Sequence, residues 1–141
     1  MLNRPLSGLI RNQTLLTLPP SETVREACRR MRDAHQGAVA VTDEQGRLLG
    51  IFCDRDAVYR VLAGTREVDR LTLAEAMTKD PGCLSPGSTA MDALRLMQDG
   101  GFHHVPVVDG ERVVGIVSYI EFLGLEHTRL EDETETFETM R

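Results

Sequence analysis

The chain has few aromatic residues, which make up 4% of its 141 residues and include no tryptophan. A hydrophobic core must therefore be built mainly from aliphatic side chains. Long apolar runs are also absent, because no stretch approaches the ~20 residues that a membrane span needs. Arg4, Pro5 and Arg11 interrupt the N-terminal region, which lacks the apolar segment of a signal peptide. We therefore expect no membrane segment.

Cysteine is scarce as well. Cys28, Cys53 and Cys83 are odd in number, far apart and without a Cys-x-x-Cys pair. This pattern argues against a disulfide framework and favours free thiols in a reducing compartment. We expect a cytoplasmic protein.

An excess of positive charge is missing too. The formal net charge is −6, and residues 126–141 contain six acidic and two basic side chains, so this tail contributes most of it. A nucleic-acid-binding protein needs a basic face that neutralises many phosphates. We therefore expect no nucleic-acid partner, whereas one phosphorylated small molecule needs only one or two basic residues.

The sequence contains an internal repeat. The segment PSETVREACRRM, which starts at Pro20, matches PGSTAMDALRLM, which starts at Pro86, at a constant offset. The same offset aligns Val39 with Val105 and, after the loss of one residue, Gly50-Ile51 aligns with Gly115-Ile116. Repetition in the same order and spacing indicates two copies of one structural unit.

Each copy has the same predicted elements. Thr23 and Thr89 are typical helix N-caps, each with an acidic partner three residues later, and Gly37 or Gly100-Gly101 is expected to end the helix. Apolar residues follow at helical spacing. Two β-branched runs around an Asp-Gly turn then predict a β-hairpin, and a second helix follows. Each copy therefore predicts strand–helix–strand–strand–helix, an α+β fold.

Neither copy is large enough to bury its own sheet, so we expect the two to pack sheet to sheet with pseudo-two-fold symmetry. The predicted bounds are 9–66 for the first repeat and 74–125 for the second, with an acidic tail at 126–141. Apolar residues in and just before this tail, at Leu123, Leu130, Phe137 and Met140, favour a packed C-terminal helix. The alternative is a solvated end.

The two copies resemble a tandem pair of CBS domains, also called a Bateman module. The resemblance covers roughly residues 9–125 and rests on GIFCDRDAV and AVAVTDEQG in the first copy and on HHVPVVD and GIVSYIEFL in the second. It implies a regulatory module that binds an adenosine-containing ligand, namely AMP, ADP, ATP or S-adenosylmethionine, in clefts between the repeats. It also implies a homodimer.

The resemblance also implies the site residues. The family's ligand signature is Gly-x-x-Ser/Thr-x-x-Asp, in which the hydroxyl meets a phosphate and the acid binds the ribose. The second copy has Ser118 but Glu121 in place of Asp; the first copy has Asp56 but Cys53 in place of the hydroxyl. Arg55, beside Asp54, is expected to compensate by binding a phosphate bidentately.

The same residues fit a simpler interpretation. Cys53-Asp54 and Ser118 can be helix caps, with Asp56 and Glu121 as favourable charges in a first helical turn. The two interpretations do not exclude each other, because the same atoms can serve both.

The segment before the second hairpin adds further candidates. In the family a basic or histidine residue precedes this Pro-Val strand near the adenine edge, which implicates His103, His104, Val105 and Pro106. No Asp, Glu or Cys lies at metal-ligand spacing from the two histidines in the sequence, and adjacent residues on a strand point to opposite faces, so we expect no metal site. The corresponding lead-in around Thr78, Lys79 and Asp80 is expected only to lie near a cleft.

The leading functional hypothesis is a ligand-sensing module that binds an adenine nucleotide and signals to a separate, unidentified protein. The alternative is a ligand-free dimerisation or interaction module with degenerate sites. No nucleophile–base pair is visible, so we expect no enzyme activity.

Overall fold

The computed structural model of the protein describes residues 3–122. The helical elements are α1 (Leu6–Ile10), α2 (Val24–Ala34), α3 (Asp54–Asp56) continued by a π-helical turn (Ala57–Leu62), α4 (Leu73–Ala76), α5 (Ala90–Gly100) and a 3-10 turn (Tyr119–Phe122). The strands are β1 (Thr17–Leu18), β2 (Ala38–Thr42), β3 (Leu48–Cys53), β4 (Thr78–Lys79), β5 (His104–Asp109) and β6 (Arg112–Ser118). The predicted C-terminal helix at 126–141 lies outside the described residues.

The two predicted β-hairpins are present. Strands β2 and β3 pair antiparallel in a four-stranded sheet of order β1-β2-β3-β4, and β5 and β6 form a second sheet. In the first sheet β1 runs parallel to β2. In the second repeat the equivalent lead-in forms only an isolated parallel bridge between Leu84 and Val107. The α+β class with two similar units is thus confirmed.

The two long helices begin as the sequence indicated, with one difference. The hydroxyl of Thr89 accepts from the backbone N–H of Asp92 (3.2 Å), and the Asp92 carboxylate accepts from the N–H of Thr89 (3.0 Å), a complete capping box. Thr23 likewise accepts from the N–H of Glu26 (3.2 Å), but its own N–H donates to Glu22 (3.1 Å). The predicted reciprocal role of Glu26 was therefore wrong.

The ends of these helices also differ from each other. Helix α5 ends as predicted at Gly101, which adopts a left-handed conformation with φ 71°. Helix α2 instead ends at His35, which has φ 53°, so Gly37 is not its terminator. At Gly37 the lack of a side chain serves a different purpose: a Cβ there would lie 3.1 Å from His104 Nε2 and 3.2 Å from Asp54 Oδ2.

Each repeat completes its core with a segment that the sequence did not predict. Helix α1, N-terminal to the first repeat, contributes the fully buried Leu6 to the core of the second repeat. Helix α4, at the start of the second repeat, contributes the fully buried Leu73 to the core of the first. The two helices pack in equivalent ways. The Leu6 N–H donates to Ser88 O and the Leu73 N–H donates to Glu22 O, both at 2.8 Å, and Glu22 and Ser88 are equivalent positions of the two repeats.

A third apolar cluster joins the sheets of the two repeats. Its members lie on the sheet faces opposite the helices and are small or β-branched, as expected where two sheets pack closely. The buried members are Ala38, Ala40, Ile51, Val113 and Ile116. The hairpins also bond to each other directly, since the Leu48 N–H donates to Glu111 O (3.3 Å). The predicted sheet-to-sheet packing is confirmed.

Among residues 3–122, no helix has the length and apolar character required to cross a membrane.

Candidate functional site

Two clefts open between the repeats, each beside the point where a Gly-Ile strand passes into a helical turn. The Ser118 cleft has a volume of about 510 Å³ and is lined by Ser118, Glu121 and residues of the loop at 35–38. The Cys53 cleft has a volume of about 370 Å³ and is lined by Cys53, Arg55, Asp56 and residues of the loop at 78–82. Both volumes fall in the range of small-molecule sites.

The central feature of the Cys53 cleft is the carboxylate of Asp56, which is only 8% exposed. Its Oδ2 accepts from the backbone N–H of Cys53 (2.9 Å) and from the Cys53 thiol (3.2 Å). This arrangement is the capping box of α3, in which Cys53 is the N-cap, as the helix-cap interpretation has it, and Asp56 is its reciprocal partner rather than only a favourable charge. Burial raises the pKa of the Cys53 thiol to about 11, so it carries its proton and donates to Asp56.

The other oxygen of Asp56, Oδ1, has longer contacts. The Thr78 hydroxyl donates to it at 3.3 Å, and Arg60 Nε lies 3.4 Å away. Thr78 reaches the cleft on β4, whose pairing with β3 places it opposite Ile51. This oxygen therefore faces the cleft through contacts that are weaker than those of Oδ2.

Arg55 spans the mouth of the Cys53 cleft between the two repeats. Its Nη1 donates to the backbone carbonyl of Gly101 (2.7 Å), and its guanidinium lies 5.7 Å from the ring centre of Tyr59. With Arg60 it brings two guanidinium groups to one side of the cleft. Cys53, Arg55 and Asp56 thus line the same cleft.

The Ser118 cleft has the same plan with different side chains. The Glu121 carboxylate accepts from the backbone N–H of Ser118 (3.1 Å), as Asp56 does from Cys53. Burial raises the pKa of Glu121 above its ordinary value, against the smaller lowering effects of the Ser118 N–H and of Arg4. Ile120, 72% exposed, occupies the position that Arg55 has in the other repeat.

His103 and His104 lie in the wall between the clefts and line both of them. The His103 ring stacks on Tyr119 with centroids 5.1 Å apart. His104 is half-buried, and its Nδ1 is buried without a hydrogen-bond partner among the described residues. Burial lowers the pKa of His104 below its ordinary value, an effect larger than the opposing effect of Asp54. Both of the predicted histidines therefore line the clefts.

Two of the predicted residues do not line either cleft. Val105 is fully buried in the core of the second repeat, and Pro106 is also buried. Conversely, the clefts include residues that sequence reasoning missed, among them Gln13, Gln36, Tyr59 and Arg60. No local sequence pattern identified Gln13, because its position depends on the chain before β1 crossing to the second repeat. There its side-chain amide donates to the backbone carbonyl of Ile116 and accepts from the backbone N–H of the same residue.

Unusual backbone conformations also occur at the two clefts. Among the described residues, His35 (φ 53°) and Asp80 (φ 46°) are non-glycine residues with positive φ, and each lines one of the two clefts. Such conformations carry a conformational cost and often occur at binding sites.

Comparison with known proteins gives a consistent result. The CBS domain family model matches the chain twice, at residues 10–63 and 73–127. The Arabidopsis thaliana CBS domain-containing protein CBSCBSPB5 is 34% identical over 120 residues, which are 85% of this chain and 22% of that protein. The chain thus spans about a fifth of the length of this curated relative.

Solved structures extend the similarity to the fold. The CBS-domain containing protein ATU1752 from Agrobacterium tumefaciens is 31% identical, with a TM-score of 0.75 over 83% of this chain and 94% of that one. The CBS domain pair of protein MJ0100, solved in complex with 5′-methylthioadenosine and S-adenosyl-L-methionine, has a TM-score of 0.74 at 23% identity, over 92% of this chain and 97% of that one. The two family matches, the two equivalent units and the paired clefts lead to one conclusion: this chain belongs to the CBS domain family and forms a CBS pair.

Proposed function

We propose that this CBS pair is a non-catalytic regulatory module that binds an adenosine-containing ligand and signals to a separate protein. The ligand class is AMP, ADP, ATP or S-adenosylmethionine. The observation that carries the proposal is the buried Asp56 carboxylate, whose Oδ1 faces a cleft beside two arginines. A carboxylate is a pure acceptor and can hold both hydroxyls of a ribose.

The arginines suggest which cleft takes a phosphorylated ligand. Arg55 and Arg60 line the Cys53 cleft, whereas the Ser118 cleft has Ile120 in the position of Arg55. Guanidinium groups bind phosphate bidentately. We therefore assign nucleotides with phosphate groups to the Cys53 cleft and less charged adenosine compounds to the Ser118 cleft. The complex of MJ0100 with two adenosine compounds supports this ligand class.

Thermal unfolding with each ligand tests the proposal. A ligand at a hundred times its dissociation constant adds about 2.7 kcal/mol to the free energy of unfolding. For a chain of this size, each kcal/mol raises the midpoint by roughly 2–4 °C. We expect AMP, ADP or ATP to raise the midpoint, and Asp56→Ala to abolish that rise.

Asp92→Ala is the matched control. Asp92 has the same capping role at α5 as Asp56 has at α3, but it lines neither cleft. We expect Asp92→Ala to lower the midpoint of the free protein and to leave the ligand-induced rise intact. An unchanged ligand response in Asp56→Ala would overturn the assignment of the Cys53 cleft.

The alternative function, a protein-interaction module, is favoured by an exposed apolar surface. On the π-helical turn, Val58 is 50% exposed, Tyr59 66% and Leu62 73%. We propose that a second copy of the chain covers this surface in a homodimer. Leu62→Asp should then halve the mass measured by sedimentation equilibrium, while Arg30→Asp on the exposed side of α2 should not. A monomeric parent protein would rule out the dimer.

A cytoplasmic location remains a prediction, supported by three cysteines that are free in the structure.

A further inference from the structure

Three metal-binding side chains meet in the wall between the two clefts. They are Cys53 at the end of β3, Asp54 at the start of α3, and His104 at the start of β5 in the other repeat. One donor atom from each, the thiol sulfur, a carboxylate oxygen and a ring nitrogen, lies within 4.8 Å of the other two. No such cluster is visible in the sequence, since His104 lies about fifty residues from its partners.

The donor set and its spacing suit a zinc ion. Zinc binds cysteine sulfur at about 2.3 Å and histidine nitrogen or carboxylate oxygen at about 2.0–2.2 Å. In a tetrahedron these bond lengths place the donors roughly 3.3–3.8 Å apart. The donor atoms lie within 4.8 Å of one another, about 1 Å more than these values, so the side chains must move closer together when an ion binds. Two of the donors are half-buried and Asp54 is exposed, so the ion can enter from the clefts.

A second observation points to the same place. His104 Nδ1 is buried and has no hydrogen-bond partner among the described residues. Buried polar atoms in folded proteins nearly always have a partner, so an orphaned ring nitrogen calls for an explanation. A cation bound to Nδ1 would supply the interaction that this atom lacks.

A third observation is the space above Gly37. A Cβ on Gly37 would lie 3.1 Å from His104 Nε2 and 3.2 Å from Asp54 Oδ2. The φ of Gly37 is not in the left-handed region, so its backbone conformation does not require glycine. The missing side chain instead lets the His104 ring and the Asp54 carboxylate lie close together beside the Gly37 backbone.

We propose that Cys53, Asp54 and His104 form a zinc site that links the two repeats. Zinc replaces the proton of the Cys53 thiol, and the proton is released to solvent. The three protein ligands leave a fourth coordination position for water, as in zinc sites that exchange a ligand. In the metal-free protein Asp56 accepts from Cys53 Sγ at 3.2 Å and so orients the thiol, and this hydrogen bond is lost when zinc displaces the thiol proton. The site does not depend on nucleotide binding.

Metal content of the untagged, full-length protein tests the proposal. The protein is stripped with a chelator, incubated with zinc chloride and passed through a desalting column, and zinc is measured by mass spectrometry. We expect about one zinc ion per chain. Removal of one ligand should weaken zinc affinity by at least about 100-fold, since changes in the outer shell alone cost 10–100-fold. Cys53→Ser and His104→Ala are the ligand variants, with Cys83→Ser and His103→Ala as matched controls.

Substitution of cobalt for zinc tests whether the Cys53 sulfur binds the metal ion. The cobalt-loaded protein should show a thiolate-to-cobalt charge-transfer band in the near ultraviolet, and Cys53→Ser should remove it. If Cys53→Ser or His104→Ala fails to fold, Asp54→Asn serves instead, because Asp54 is exposed and its loss leaves no cavity. Failure to retain zinc, or zinc retention that is equal in Asp54→Asn and the parent protein, would overturn the proposal.

Discussion

At the scale of single residues, the repeated glycines are explained by close packing. Gly50 lies on β3 at the point where Met77 and the first residue of β4, Thr78, pack against it. A Cβ on Gly50 would lie 2.6 Å from Met77 Sδ and 2.7 Å from the backbone oxygen of Thr78. Gly115 is equivalent, and its Cβ would lie 2.6 Å from Ile10 Cγ2. The absence of a side chain at Gly50 therefore lets Met77 and Thr78 pack against β3. At Gly115 it lets Ile10 pack against β6.

Gly50→Ala should lower the free energy of unfolding by about 1–3 kcal/mol, because its methyl group overlaps the backbone of β4. Gly8→Ala is the control: a Cβ there meets nothing within 4 Å, and alanine in helix α1 should raise the free energy by about 0.5–1 kcal/mol. Urea denaturation of both variants measures the difference. Equal effects would show that the contact at Gly50 is unimportant.

The buried carboxyl of Glu121 predicts a pH dependence. Its pKa is raised in the folded protein above the ordinary value of 4.5, so it binds its proton more tightly when folded than when unfolded. Its contribution to stability is therefore fully present below the unfolded pKa and is lost as pH rises through the folded pKa.

Glu121→Gln should accordingly gain stability relative to the parent protein as pH rises from about 4 to about 7. Urea denaturation at a series of pH values measures the two curves. A difference between them that stays constant with pH would contradict the prediction.

At the scale of elements, helix α1 belongs structurally to the second repeat although it precedes the first in sequence. Leu6 is fully buried among residues of α5 and β5. The backbone of the same segment bonds to α5, since the Ala90 N–H donates to Arg4 O at 2.7 Å. The stability of the second repeat therefore depends on residues at the opposite end of the described chain.

Leu6→Ala should lower the free energy of unfolding by about 2–5 kcal/mol, because it leaves a cavity in the core of the second repeat. Ser7→Ala, at the exposed neighbouring position, should change it by less than about 0.5 kcal/mol. Chemical denaturation monitored by circular dichroism measures both variants. A small effect of Leu6→Ala would show that α1 is not part of that core.

At the scale of the whole molecule, the repeats are joined by the shared cluster between their sheets and by the docking of α1 on the second. Neither repeat can unfold without exposing apolar surface of the other. This coupling predicts a single cooperative transition.

Differential scanning calorimetry measures that cooperativity. We expect one endotherm whose calorimetric enthalpy equals its van't Hoff enthalpy, in the parent protein and in Leu6→Ala alike. Two resolved transitions, with only one displaced by Leu6→Ala, would show instead that the repeats unfold independently.

Much of the fold was predictable because its signals are local. The capping threonine, the apolar spacing of α2 and α5, and the Asp-Gly turns act within a few residues, and repetition of the pattern at Gly50 and Gly115 indicated the pairing of two units. The position of Asp56 in a first helical turn was foreseen for the same reason. Helix α4 and strand β4 were missed because they are short and are stabilised by tertiary contacts.

The sequence by itself determined the two-fold repetition, the order of the hairpins and the threonine N-caps of the two long helices, because each depends on hydrophobic period and turn chemistry along a short stretch of chain. Only the tertiary structure decided that Leu6 completes the second repeat and that Thr78 faces Asp56. It also decided that His104 meets Cys53 and Asp54. These pairs lie far apart in the chain, and their proximity follows from how two sheets pack and which segments close their edges, which no local pattern encodes.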